Sequence, residues 1–492
     1  MRTWIISTLL VLAVTAGLAQ DNSLTLQECR KMAVEQNKKI HQSDAHHQAL
    51  QALSKSARSQ HFPKASFTGG YLRTNKDFSL LNEDIFLPVV PHEAYQNGIA
   101  SLQSDPALLE EAVVTKDFLG QKVPVLDEDG NPLFKQYAYL PKDEVSFGLQ
   151  NLFLMNVGIT QPLYTGGRIR TLVDIAESTS TLFEAKKEMT IQEVILQTDE
   201  YFWKVTSLQE KVKLTETYKS MVDTLIYDLE NLLEEGIITR NEVLKAKVKR
   251  NSILLQLTKA QNGLELARMA LNQTLGVPLD TTLMLETTAQ KIPNTPAKSA
   301  ETKRPELKMA NQSINIANGA VNLMRARFFP NIVLSANYTF MNPNPYDGLS
   351  TTFGSDWNVG IMMTVPIYHW GEKRHTLQAA KLEKQAAEAK YEEVQELIEV
   401  DIAKASFTLK EAQRRLELTT SSLQQADENL EITRDNFSEG LVNSTEVLEA
   451  QALWQEAYAE KIEAQADVHL AYSNLLKAKG KLTLAEPQEV HP

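Results

Sequence analysis

Residues 168–235 and 372–439 contain neither Gly nor Pro and are rich in Ala, Glu, Lys, Leu and Gln. Each run predicts one unbroken helix of roughly 100 Å at 1.5 Å per residue, too long for a compact globule. A lone glycine ends each run, Gly236 and Gly440, and a Ser/Thr/Asn-rich turn leads into a second helical stretch, 237–275 and 441–479. Shorter helices are expected over 25–60 and 304–327. A later helix stacked end to end on an initial one would match a long partner, giving four rods packed as coiled coils.

Between the helical runs the pattern switches to a period of two. Ile332, Leu334, Ala336, Tyr338 and Phe340 alternate with Asn331, Ser335, Asn337 and Thr339, with Val333 the exception. Trp357, Val359, Ile361, Met363 and Val365 alternate with Asn358, Gly360 and Thr364. Phe153, Met155, Val157 and Ile159 form a third set, and Phe67 and Tyr71 belong to a fourth segment. Such alternation predicts a sheet with one apolar face. An ordinary half-buried sheet shows the same pattern. Strands of about 10 residues are also long enough to cross a bilayer when tilted. Four strands cannot close a barrel and open edges are forbidden in lipid, so a membrane reading requires several copies to share one barrel.

The chain is an internal repeat. An offset of 204 maps Pro162 onto Pro366, Gly167 onto Gly371, Gly236 onto Gly440 and Gly276 onto Gly480. HFPKASFTGGY (61–71) matches FFPNIVLSANY (328–338) at a larger offset, because the first half carries an insert over 72–145. Pro63, Pro162, Pro330 and Pro366 fall where helix should meet strand, with Gly167 and Gly371 as swivels. The organisation expected is a first repeat over 20–276 with helical hairpin 168–275, an equatorial linker 277–303, a second repeat over 304–480 with hairpin 372–479, and a tail 481–492.

Residues 1–19 read as a secretory signal peptide: Arg2, an apolar run from Trp4 to Val14, then Gly17 and Ala19 before the cut. The net charge of −12 excludes a nucleic-acid partner. The one cysteine, Cys29, forbids an intrachain disulfide and reads as a small buried apolar residue. His41, His46 and His47 lack the spacing and companions of a metal site. LDEDGNP (126–132) fits a turn around Gly130 better than a calcium loop. No nucleophile, phosphate-loop or zinc motif points to an enzyme, and no cofactor is implied.

LTLQECRKMAVEQNKKI, FPKASFTGGY, RPELKMANQSINIANGAVNLMRARFFPNIVLSANY, QPLYTGGRIR, VPIYHWGEKR and the two glycine turns, in this order, resemble the TolC-like family of outer-membrane efflux and secretion channels. The resemblance implies a mainly α fold with a small transmembrane β part. A homotrimer would share a 12-stranded barrel, four strands per chain, set in outer-membrane lipid. A long helical barrel would continue it into the periplasm. It implies a passive exit duct of a tripartite efflux or type I secretion system, joined to a periplasmic adaptor and an inner-membrane pump. By motif position Gly236, Ile237, Gly440 and Leu441 match the adaptor-contacting tip, and Glu446 and Glu449, with Glu242 in the first turn, match the pore gate. Two departures stand out: the gate acids are Glu where the family carries Asp, and the 72–145 insert, placed at the extracellular mouth, is larger than typical.

Glu446 and Glu449 are three apart and share a helix face. Read without the resemblance, they are acids near a helix start, where the helix dipole favours them. A soluble periplasmic helical scaffold, its sheet a mere cap, is the alternative reading of the whole chain.

Overall fold

The computed structural model describes residues 23–75, 78–79, 81–91, 105–147, 150–286, 304–348 and 350–484. The expected signal peptide, 287–303 of the linker, 92–104 of the insert and 485–492 of the tail lie outside the described residues. In chain order the elements are α1 (Leu26–Gln36), α2 (Lys38–Ser59), β1 (Lys64–Arg73), β2 (Phe78–Ser79), β3 (Ile85–Pro88), α3 (Pro106–Ala112), β4 (Thr115–Phe118), β5 (Gln121–Pro124), β6 (Tyr137–Leu140), β7 (Ser146–Phe147), β8 (Asn151–Tyr164), α4 (Arg168–Glu234), α5 (Arg240–Leu275), α6 (Pro305–Ala326), β9 (Asn331–Asn342), β10 (Gly354–Thr364), α7 (Glu372–Ser438) and α8 (Ser444–Ala478). They fall into two compact units. One takes Gly167–Phe328 with the chain up to Ser59 and from Tyr368 onward; the other takes Gln60–Gly166 and Phe329–Ile367.

The helical unit is built on α4 and α7, each 67 residues long. A left-handed glycine starts each, Gly167 at φ 86° and Gly371 at φ 85°. Only glycine takes that conformation without steric cost. The residue before Gly167 is Gly166; at the matching place before Gly371 stands Trp370, a bulky residue at φ 42°.

Antiparallel partners run along both long helices. In the first half α5 returns along α4 and ends against the break between α1 and α2. That break is at Asn37, which caps α1 in an extended conformation (φ −68°, ψ 127°). Its Nδ2 donates to the Thr274 carbonyl at 2.7 Å and its Oδ1 accepts from the Lys39 N–H at 2.8 Å. The single helix expected over 25–60 is therefore two, because Asn37 exchanges helical hydrogen bonds for these contacts with the end of α5 and the start of α2. The second half repeats the device with another residue: Arg304, before α6, donates to the Ala478 carbonyl at the end of α8 at 3.0 Å.

Apolar side chains of α1, α4, α5, α7 and α8 close the interior. Cys29 and Ala33 of α1 meet Val194 and Phe202 of α4 and Leu264, Leu271 and Leu275 of α5. Leu214 of α4 joins Leu423 and Leu430 of α7 and Trp454 and Ile462 of α8, so the two hairpins share a core. A buried ion pair crosses the same region. Arg30 forks onto Asp199 at 2.6 and 2.5 Å, and Ser473 Oγ donates to Asp199 at 2.6 Å. One carboxylate thus ties α1, α4 and α8 together. No helix among the described residues is long and apolar enough to cross a membrane.

The second unit carries an antiparallel sheet in the order β1-β8-β9-β10, with β1 and β10 at its edges. Pro63, Pro330 and Pro366 flank strands, as the proline reasoning expects, but Pro162 does not. It lies inside β8, opposite Val333, where the register shifts before Tyr164. β1 pairs with β8 only as far as Thr160, so beyond it β8 is an edge on that side and tolerates a residue without an N–H.

The insert lengthens the β1–β8 hairpin. Arg73 faces Asn151 at the end of the long ladder, and two short ladders follow outward with the register moved by one residue, Phe78 facing Phe147 and Ile85 facing Leu140. Beyond them α3, β4 and β5 gather around Leu109, Ala112 and Val113, packed by Val90 and Phe134. In the 126–132 loop, Asp127 Oδ1 accepts from the Asp129 and Asn131 N–H groups at 3.0 and 2.8 Å, a turn stabilised by its own side chain.

Candidate functional site

The sheet separates two environments. Phe67 faces Val157, Val157 faces Tyr338 and Tyr338 faces Trp357, so this row shares one face. Two residues on, Ile159, Ala336 and Val359 continue it. This apolar face is open: Phe67, Trp357 and Ile361 are 68, 69 and 68% exposed. On the opposite face Thr339 donates to Asn156 at 3.1 Å and Asn337 donates to Asn358 at 3.1 Å. Gly158 lies in that row, and a Cβ there would come within 2.7 Å of Asn337 Oδ1. The polar amides pack across the strands because this position has no side chain.

At the far end of the helical hairpins the two glycine turns lie side by side. Gly236 has φ 73° and Gly440 φ 76°, with open space around both, so these turns need glycine for conformation alone. Ile237 and Leu441 follow them, 65 and 68% exposed. Beneath the turns Val243 and Ala246 of α5 pack with Val447 and Leu448 of α8 and with Tyr218, Leu225 and Leu229 of α4. A cleft of about 600 Å³ opens between the turns, lined by Leu232, Ile238, Glu242, Phe437, Val442 and Ser444 among others.

The turns differ in how they hold charge. The N-cap of α8 is Asn443, whose Oδ1 accepts from the Thr445 and Glu446 N–H groups at 2.9 and 3.2 Å. Glu446 reaches back to Asn443 Nδ2 at 3.0 Å and completes a capping box. Asn443 alone is the cap, and Ser444 beside it has another task. Its Oγ donates to Glu242 Oε2 of the first turn at 2.5 Å. Glu242 also pairs with Lys245 at 3.0 Å. Its carboxyl is held below the usual range, first by the Ser444 hydroxyl and then by Lys245.

The repeat places Glu242 and Lys245 where the second turn has Glu446 and Glu449. An opposite-charge pair in one turn is a like-charge pair in the other. Around the first turn the balance continues, with Lys247 to Glu230 at 2.6 Å and Arg250 to Asp223 at 2.6 Å. Glu446 and Glu449 are exposed, and among the described residues neither makes an ion pair. The three acids named from the sequence therefore divide. Glu446 and Glu449 present charge to solvent, while Glu242 is engaged between the hairpins. Sequence reasoning missed the Ser444–Glu242 joint, the Asp199 junction and the Arg304–Ala478 contact. The Asn443-x-x-Glu446 spacing was the one signal that could have revealed the cap. Among the described residues no cluster of His, Cys, Asp and Glu is arranged to hold a metal.

A sheet with one open apolar face and one amide-lined polar face, joined in one chain to two helical hairpins, each with one 67-residue helix, defines an outer-membrane channel protomer. The profile of the outer membrane efflux protein family matches residues 145–277 and 297–481, and the chain belongs to that family. It is 21% identical over 350 residues to outer membrane protein TolC of Vibrio cholerae, covering 69% of this chain and 80% of that protein. It is 23% identical over 321 residues to the probable efflux pump outer membrane protein TtgC of Pseudomonas putida, covering 64 and 66%. Its fold is similar to that of the CmeC outer membrane channel of Campylobacter jejuni, with TM-score 0.66, 17% identity and 94% of this chain covered against 87% of that one. VceC of Vibrio cholerae gives TM-score 0.65, 16% identity and coverage of 92 and 96%. The protein is an efflux channel of the outer membrane with its helical part in the periplasm, which removes the soluble-scaffold alternative.

Proposed function

We propose that three copies close one 12-stranded barrel and one helical barrel, forming a passive exit duct. The carrying observation is the four-stranded sheet with both edges open and its apolar face exposed. In lipid such edges must be paired, and β1 and β10 have the lengths (10 and 11 residues) and opposed directions to pair between copies. Arg73 at the end of β1 makes no ion pair among the described residues, and Asp356 lies at the matching end of β10, so the seam joins opposite charges. The helical unit supports the same assembly. α7 leaves Leu397, Val400, Phe407, Leu418 and Ile432 exposed at heptad positions, a coiled-coil stripe left for a neighbour.

In this reading the glycine turns, with Gly236, Ile237, Gly440 and Leu441 outermost, receive a periplasmic adaptor that links the duct to an inner-membrane pump, which supplies the energy. Glu446 and Glu449 of three copies form an acidic constriction that favours cations, while Glu242 serves as the joint between hairpins. Pro63, Pro330, Pro366, Gly167 and Gly371 direct the chain between strand and helix, while Pro162 stays within β8. The test is bilayer recording from the purified oligomer. Cation preference should fall in E446Q/E449Q and persist in E242Q. Unchanged selectivity in E446Q/E449Q would refute the gate, and a detergent-extracted monomer would refute the shared barrel.

A further inference from the structure

The hairpin arm made by β3 and β6 is apolar on both faces. Phe86 and Tyr139 stand opposite each other on one face, their rings 5.1 Å apart, and remain 62 and 55% exposed. Ile85 and Leu87 are exposed on the other. A sheet that meets water keeps at least one polar face, and an isolated two-stranded ribbon is marginal in water even then. The base of the arm is fastened, since Asp84 accepts from Tyr139 Oη at 2.8 Å and from the Lys142 N–H at 2.9 Å. These bonds lower the Asp84 pKa, the backbone donor contributing most. The ribbon is therefore held in shape while its apolar surface is left uncovered.

Register says what lies beside it. β3 continues the β1 side of the hairpin, as Arg73–Asn151 leads to Ile85–Leu140. β1 is a free edge, and in the proposed trimer that edge meets β10 of the next copy. The loop between β9 and β10 rises at this same end of the sheet, because Met341 faces Gly354. It carries its own uncovered aromatics, Tyr346 and Phe353, 68 and 59% exposed. We propose that the β3–β6 arm of each copy packs on the β9–β10 loop of the next, making a second interface outside the barrel. Its partner is a second copy of this chain, and the inference rests on the trimeric barrel proposed above. The arm would then act as a clasp between copies, which gives the large insert a purpose that a mere loop lacks.

Disulfide mapping in the full-length protein tests this cleanly. The native chain has one cysteine, buried Cys29, whose thiol burial pushes up to about 12, so it stays silent. The arm pair is F86C/Y346C and the seam pair R73C/D356C, each oxidised in outer-membrane vesicles and run on non-reducing gels. Covalent dimers and trimers from both pairs are expected. Covalent multimers from the seam pair alone would overturn the arm contact and leave the barrel standing. Failure of both would overturn the barrel as well. A fast-migrating monomer from F86C/Y346C would show the arm folded on its own loop and also overturn the inference. So would quenching of a fluorophore on F86C by brominated lipid, which would give the arm to the membrane.

Discussion

Ser444 Oγ donates to Glu242 Oε2 at 2.5 Å, although the two residues belong to different halves of the repeat and lie 202 positions apart. This bond links the two tips beside the apolar cluster that they share. S444A should loosen the joint by about 1 kcal/mol, as for a typical side-chain hydrogen bond. Amide exchange over 236–244 should accelerate in S444A while exchange in the Arg30–Asp199 region stays unchanged.

The same joint should weaken in acid. The Glu242 pKa is depressed in the folded protein, so its stabilising effect is present above the ordinary value of 4.5 and is lost as pH falls through the lower folded value. Exchange at the tips should rise as pH falls below 4.5 in the wild type. S444A removes the larger cause of the depression and should flatten that rise.

His469 should produce a second acid effect in a higher window. Its ring stacks on Trp203 at 3.9 Å, and burial lowers its pKa to about 4. The unfolded chain takes up this proton near pH 6.5 and the folded one near 4, so stability is full above 6.5 and declines between the two. H469F keeps a ring against Trp203 and loses the titration. Its melting temperature should fall less than that of the wild type between pH 7 and 4.5.

The Asp199 junction should be the costliest polar site to break. Asp199 is fully buried and accepts from both Arg30 and Ser473. D199N leaves the Arg30 charge buried without its counter-ion, at a cost of about 3–5 kcal/mol. R30M/D199L, which removes both charges, should recover much of the loss in thermal melts.

Two glycines with similar backbone angles should respond differently to alanine. Gly236 at φ 73° has open space, so G236A bears only left-handed strain of about 1–2 kcal/mol. Gly276 at φ 77° also lies against α1, where a Cβ would sit 2.6 Å from the Gln36 carbonyl oxygen. G276A should lower the melting temperature at least twice as far as G236A.

The long helices and the two-faced sheet were legible because their signals are local and repetitive. The Gly- and Pro-free runs announce α4 and α7, and alternation around Tyr338 and Trp357 announces the strands. What escaped was set at long range. The break at Asn37 depends on a carbonyl at Thr274, and Asn alone is a weak helix breaker. Pro162 was misplaced because its tolerance depends on where β1 stops pairing. Ser444 carries no local signal of its partner, and only the arrival of the first turn beside it shows that it serves Glu242. Likewise, the unequal charge of Lys245 and Glu449 was visible, but not that Lys245 neutralises a neighbour while Glu449 stands beside another acid.

From Gly167 to Gly236 and from Gly371 to Gly440 the chain counts the same number of residues, and α4 and α7 are both 67 residues long. One residue added to either helix would move its turn about 1.5 Å along the axis and rotate it by roughly 100°. Ser444 would then no longer face Glu242. Insertions and deletions in these helices can survive only when matched in both halves, so the duplication that created the chain also constrains how its length can evolve.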